Sequence, residues 1–385
     1  MRIVCAPDSF KHSLTAAEAA AAMARGVRAV WPDAEAVEVP LSDGGEGFTD
    51  AIADALGARV VDIPVQDARG RPATGRLALA GDVAAFEMAS ASGLEAIADD
   101  DRDILASDTR GVGQLVRAAL DAGATTLVIG LGGSATNDGG AGMLAELGVR
   151  FLDAGGRVLA TTPAGLADLA CVDATGLDPR LVDARVRVAC DVDNPLLGDR
   201  GASAVFGPQK GATTPELVTR LDATLARLAE LSGHAAVADA PGAGAAGGLG
   251  FALLAFACAE LVPGIELVCD TVGFHDTVAG ADLVLSGEGS IDAQTLSGKT
   301  PAGVADVAGA HGVPVVLFGG RVAPDADALR ADGRVAAIVG ITPDGQSLPQ
   351  ALANAAANLE RAVADHLANR PRRTASGEPA EWPHA

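Results

Sequence analysis

Short β-type runs ending in Gly or Asp clusters alternate along this chain with Ala-rich stretches of helical spacing. That alternation restricts the fold most, because parallel strands need a crossover and the crossover is usually a helix. The expected class is α/β: a Rossmann-like parallel sheet with helices on both faces, plus a second, inserted α/β domain. RIVCAP, AVEVPL, TTLVIGLG, ADLVLSG, VPVVLFGG and VAAIVGI are the expected parallel strands. TAAEAAAAMARGVRAV, SDTRGVGQLVRAALDAG and PAGVADVAGAHG are expected helices, each with Ser or Thr at or just before its start.

Two regions break the rhythm. VVDIPVQDARGRPATGRLALAGDVAAFEMAS has turn signals between alternating runs and predicts antiparallel hairpins. The stretch from about 150 to 282 mixes the strand VRVACDV, the helix PELVTRLDATLARLAELSG and a Gly/Ala-rich segment. We therefore expect a first domain over 1–64, 105–149 and 281–368, a second over 65–104 and 150–280, and a disordered tail over 369–385. Apolar residues make up 49% of the chain but aromatics only 3%, so the core must be built from Val, Leu, Ile and Ala.

A net charge of −22 disfavours nucleic acid and anionic membrane surfaces as partners. An anionic substrate would need locally supplied positive charge from lysines, helix N-termini or a metal ion. Cys5, Cys171, Cys190, Cys258 and Cys269 form no CxxC pair and lie in apolar runs, as reduced core thiols do. MRIVCAP starts on a strand without a signal-peptide pattern, and LGFALLAFACAELV is too short to span a bilayer. A cytoplasmic, soluble protein is expected.

Lysine is scarce: of 28 Lys and Arg residues only Lys11, Lys210 and Lys299 are lysine, and all three sit in small, polar, turn-forming stretches. A lysine is a compact point charge that arginine does not replace. After RIVCAP, Ser9 and Lys11 precede a helix capped near Ser13 or Thr15, a setting suited to anion binding. Asp43 and Glu46 stand among the glycines of DGGEG and can hold Mg²⁺ through water or orient substrate hydroxyls. Strand, glycine-rich loop and helix follow one another at Gly132, Gly133, Ser134, Thr136, Asn137 and Asp138, the order of a phosphate cradle. Asp191, Asp193 and Asn194 lie just past VRVAC, and the two aspartates share one face as a candidate metal corner. Lys210 lies on the nearby turn GPQKG. The densest polar set is Glu288, Ser290, Asp292, Gln294, Thr295 and Lys299, ahead of a helix with Thr300 as expected N-cap. There Asp292 can accept a hydroxyl proton and Lys299 can bind transferring phosphate oxygens.

Two motifs are rejected. AQTLSGKT has Ala where a P-loop needs its first Gly, and LVLSG is expected to end several residues earlier. Gly242–Gly247 matches GxGxxG, yet HAAVADAP is a poor strand and no acidic residue follows at the required distance.

In order, the blocks APDSFKHSLTA, DGGEG, GLGGSATNDGGAG, CDVDNPLLG…VFGPQKGA, GAGAAGGLGF and GEGSIDAQTLSGKTPAGVA resemble the type-1 (bacterial glycerate 2-kinase) family over roughly residues 1 to 320. The resemblance implies ATP- and Mg²⁺-dependent phosphorylation of D-glycerate, with 2-phospho-D-glycerate the favoured product. It also implies two α/β domains, the second inserted, with the active site in the cleft between them. Asp292, Lys299, Lys11 and Asp43 are the expected catalytic residues, and Asp191, Asp193 and Glu288 the expected metal ligands. The remaining polar residues named above are expected to bind substrate or nucleotide. The family pattern leads us to expect glycine where His12 stands, alanine where Ser42 stands and threonine where Phe48 stands. A kinase of another small hydroxy acid is the alternative, with a dinucleotide-binding oxidoreductase more remote. The general base and the oligomeric state stay open.

Overall fold

The computed structural model describes residues 1–45, 47–292, 295, 299–331 and 333–369. The chain forms two compact units: residues 1–43 with 268–385, and residues 44–267. The second unit is thus one continuous stretch, 44–267, where the sequence pattern leads to two pieces, 65–104 and 150–280, with 44–64 and 105–149 in the first domain.

The first unit is built on a five-stranded, all-parallel sheet. Its spatial order is Ala337–Gly340, Val315–Val322, Leu283–Ile291, Arg2–Cys5, Glu35–Glu38. Side chains alternate across the sheet, so Ile3, Cys5, Leu283, Leu285, Val316 and Phe318 pack with helices Ala16–Val30 and Ala355–Ala368 on one face. Val4, Val284 and Leu317 are buried as well, and helix Thr300–Ala310 packs on the two central strands it connects. A capping box between Thr15 and Glu18 starts the first helix. Gly26 within it is required by close approach: a Cβ there would lie 2.5 Å from the Glu360 carbonyl oxygen.

From Arg2–Cys5 the chain steps sideways to Glu35–Glu38; from Leu283–Ile291 it steps the opposite way to Val315–Val322 and Ala337–Gly340. The winding therefore reverses between Arg2–Cys5 and Leu283–Ile291. In doubly wound sheets the crevice outside the carboxyl ends of the strands at such a reversal is where ligands bind.

The second unit holds a six-stranded sheet in the order Glu260–Val262, Arg185–Ala189, Thr126–Gly130, Val83–Glu87, Pro72–Ala80, Arg59–Gln66. The first four strands are parallel, and the last two join as the antiparallel hairpins expected from the turn signals. Thr126–Gly130 is a central strand here and not in the first sheet, as had been expected. An apolar run buried on both faces looks alike in any parallel sheet, so its sequence does not name its partners. Strands Arg150–Leu152 and Cys171–Asp173 form a small separate hairpin. No helix among the described residues is long and apolar enough to cross a membrane.

Candidate active site

In the first unit, side chains named on sequence grounds gather at the reversal point. Asp8, Ser9 and Lys11 follow the Arg2–Cys5 strand, Asp43 follows Glu35–Glu38, and Glu288, Ser290 and Asp292 lie at or just past the carboxyl end of Leu283–Ile291. That last strand runs on to Ile291, paired with Val322, so it does not stop at LVLSG as expected. Gly289 faces the Phe10–Lys11 backbone, and a Cβ there would meet the Lys11 nitrogen at 3.4 Å, an ordinary contact.

Asp8, missed in the sequence reading, anchors this cluster. Its backbone N–H donates to the Gly287 carbonyl at 2.9 Å. Its carboxylate accepts from the Ser9 N–H at 2.6 Å and from the Thr300 hydroxyl at 2.5 Å. Thr300 thus ties the start of helix Thr300–Ala310 to the first strand, while Lys299 takes the N-cap position expected for Thr300. Burial, then the charge of Asp43, raises the Asp8 carboxyl to about 6. Glu288 is also raised, mainly by burial, with Lys299 pulling the other way and Asp43 and Asp292 adding repulsion. The Thr295 hydroxyl donates to Glu288 Oε1 at 2.9 Å and accepts from the Asp292 N–H at 3.1 Å. Lys299 Nζ lies 3.8 Å from Glu288 Oε2, a loose pair with the ammonium still half-exposed. Lys11 and Ser290 are exposed and Ser9 is half-buried. Four carboxylates sharing one field with the ammonium of Lys299 make a site suited to cations and to phosphate carried by cations. Glu46 and Gln294 lie outside the described residues.

In the second unit, the loop after Thr126–Gly130 differs from expectation. Gly132 and Gly133 are exposed, but Ser134, Thr136, Asn137 and Asp138 are buried. Several of their polar groups are committed to the protein. Asp138 accepts from the Thr109 N–H and hydroxyl at 2.9 and 2.8 Å, the Gly142 N–H at 2.9 Å and the Gly140 N–H at 3.2 Å. It therefore caps the helices Arg110–Asp121 and Ala141–Glu146 together. Asn137 Nδ2 donates to Ser203 Oγ at 3.0 Å. Lys210 Nζ donates to Ser134 Oγ at 2.6 Å and to the Thr136 carbonyl at 2.8 Å. Much of the polarity in this glycine-rich loop serves the loop's own scaffold, whereas Thr136 Oγ1 and Asn137 Oδ1 are buried without a hydrogen-bond partner among the described residues, and the glycine backbone reaches solvent.

The rejected GxGxxG has a structural purpose. Ala246, Gly247 and Gly248 all have positive φ, and a Cβ on Gly247 would lie 1.9 Å from the Thr136 carbonyl oxygen. The Gly139 N–H donates to the Gly247 carbonyl at 3.0 Å. Two backbones touch there, which only glycine permits.

Of the three expected metal ligands, Asp191 and Asp193 make protein contacts in the second unit. Asp191 Oδ1 accepts from the Gly264 N–H at 2.8 Å. Asp193 pairs with Arg200 at 3.1 Å on the surface, and Asn194 donates to the Arg200 carbonyl at 2.8 Å. Among the described residues no three His, Cys, Asp or Glu side chains are grouped as a metal cage.

The three departures from the family pattern have local explanations. His12 has φ of 64°, a left-handed conformation that glycine adopts freely. Ser42 is buried with its hydroxyl unpartnered, where alanine would leave nothing unmet. Phe48 is wholly buried, its ring against Gly130. His12→Gly and Ser42→Ala are therefore each expected to raise unfolding free energy by about 1 kcal/mol, read by urea denaturation.

A doubly wound sheet with carboxylates and a lysine at its reversal point places a polar, charged ligand site where α/β proteins bind their ligands. The model of the glycerate kinase family matches residues 3–369. A glycerate kinase of Bacillus subtilis (strain 168) is 46% identical over 374 residues, covering 96% of this chain and 97% of that protein. A glycerate 2-kinase of Escherichia coli (strain K12) is 44% identical over 367 residues, covering 94% and 96%. A crystal structure described as that of a "putative glycerate kinase 2" from Salmonella typhimurium LT2 superposes with a TM-score of 0.88 at 45% identity, covering 96% of this chain and 97% of that one. The chain belongs to the glycerate kinase family, and membership implies a kinase that uses ATP and an alcohol acceptor.

Proposed function

We propose that this chain transfers the γ-phosphoryl group of ATP to the 2-hydroxyl of D-glycerate. The observation that carries this is the cluster of Asp8, Asp43, Glu288, Asp292 and Lys299 at the sheet reversal, in a chain whose E. coli relative is called a glycerate 2-kinase. Phosphoryl transfer needs positioning and charge neutralisation more than covalent help. Lys299, at the N-cap of an 11-residue helix, offers an ammonium and a helix N-terminus to phosphate oxygens together. Lys11, on the neighbouring loop, adds a second exposed cation. Asp292, or Asp43 across the cluster, accepts the proton of the attacking hydroxyl. Ser9, Ser290 and Thr295 supply hydroxyls around it. Within the second unit, the exposed Gly132–Gly133 turn offers backbone amides to an anion.

The excess of carboxylate over cation fits Mg²⁺. This ion keeps several waters and takes one or two carboxylates plus substrate phosphates, so it needs no all-protein cage. Glu288 with Asp43 or Asp292 would hold it, in place of the Asp191 and Asp193 pairing expected from sequence. Bound there, it supplies neutralisation of the charge on the transferred group. The test is the identity of the product formed from ATP and D-glycerate, set against other small hydroxy acids under the same conditions.

A further inference from the structure

Lys210 was expected at a ligand, yet only 2% of its surface is exposed. Two acceptors meet its amine, Ser134 Oγ and the Thr136 carbonyl. A neutral amine has two N–H groups, which these acceptors fill; an ammonium has three and would leave one buried donor unmet. The Thr136 carbonyl also lies against Gly247, where a Cβ would come within 1.9 Å of it. Ser134 in turn forms a β-bridge with Gly93, and Leu94 N–H donates to the Gly133 carbonyl at 2.7 Å. The amine is thus one of the pins under the exposed Gly132–Gly133 turn.

We propose that Lys210 is a positioning residue that works as an uncharged amine, and that its protonation loosens the Gly132–Gly133 turn and slows phosphoryl transfer. Burial supports this by lowering the lysine to about 7, with the charge of Asp138 pulling upward. The oxygens of Asp138 are already occupied by Thr109, Gly140 and Gly142. The other charged groups near this assembly are Asp108, which acts on Asp138, and Arg102, whose guanidinium reaches the Gln209 carbonyl. The activity part rests on the kinase reading; the protonation part does not.

Because the chain has three lysines, ε-¹³C-lysine labelling yields three side-chain NMR signals. The Lys210 signal is assigned by its loss in Lys210→Met, or by elimination with Lys11→Arg and Lys299→Arg if that variant does not fold. It is expected to titrate near 7, and titration above about 9 would overturn the uncharged amine. Folded Lys210→Met is expected to lose about 10²-fold in kcat and to lose the step in the kcat profile centred near 7, leaving the fall toward 6 that the carboxylate cluster causes. Unchanged kcat with an unchanged pH profile overturns the positioning role. A wild type without any phosphotransfer would overturn the kinase reading and this role with it, and would leave the titration result intact.

Discussion

Lys299→Ala and Asp292→Asn are each expected to lower turnover of D-glycerate by about 10²- to 10⁴-fold, with unfolding midpoints close to wild type. The kinetic loss follows from their proposed roles at the reacting groups. The small structural effect follows from their surroundings. Lys299 is half-exposed and its 3.8 Å pair with Glu288 is the kind of partly solvated contact worth well under about 1 kcal/mol. Asp292 contributes its backbone N–H to Thr295, and the Asn variant keeps that bond. Steady-state kinetics beside urea denaturation separate the two effects. Near-normal turnover in both variants would remove the cluster from the chemistry.

Asp138→Ala is expected to do the reverse, lowering stability by several kcal/mol. Its carboxylate accepts four hydrogen bonds from Thr109, Gly140 and Gly142, all buried. Each donor left unmet costs about 1–3 kcal/mol, against a whole-domain stability of about 5–15 kcal/mol. The variant should unfold at much lower urea, if it folds at all. Wild-type stability near that of Asp138→Ala would return this residue to the ligand-facing role expected from sequence. The same group also gives a pH signature. Burial, then Asp108, raises Asp138 from 3.8 to about 6, so the folded chain holds an extra proton between those values. That contribution is fully present below about 4 and is lost as pH rises through 6. Lys210 runs oppositely: its folded value of about 7 lies below the ordinary 10.5, so stability gains as pH rises from 7 toward 10.

The first sheet was legible because strands such as RIVCAP and VPVVLFGG are short, apolar on both faces and closed by small or acidic residues. The hairpins were legible from ARGRP and AGD. Sheet membership was not: Thr126–Gly130 finds its neighbours at Val83–Glu87 and Arg185–Ala189, far away along the chain. Asp8 escaped notice for the same reason, since its partner Thr300 lies 292 residues away. Its place at the carboxyl end of the first strand was the available signal. At Ser134 to Asp138 polarity alone does not assign a role, because hydroxyls and carboxylates serve helix caps as readily as ligands. Lysine scarcity pointed to real places, but to different jobs: Lys299 and Lys11 reach solvent, whereas Lys210 is built into the interior.

The central claim is a phosphoryl transfer to one hydroxyl of one small acid. It is tested most directly by incubating the chain with ATP, Mg²⁺ and D-glycerate and locating the phosphate on the product by ³¹P and ¹³C NMR. The account predicts 2-phospho-D-glycerate, formed in step with ADP and faster than any product from other small hydroxy acids. Phosphate on the 3-hydroxyl, or preferred phosphorylation of a different acid, would contradict it.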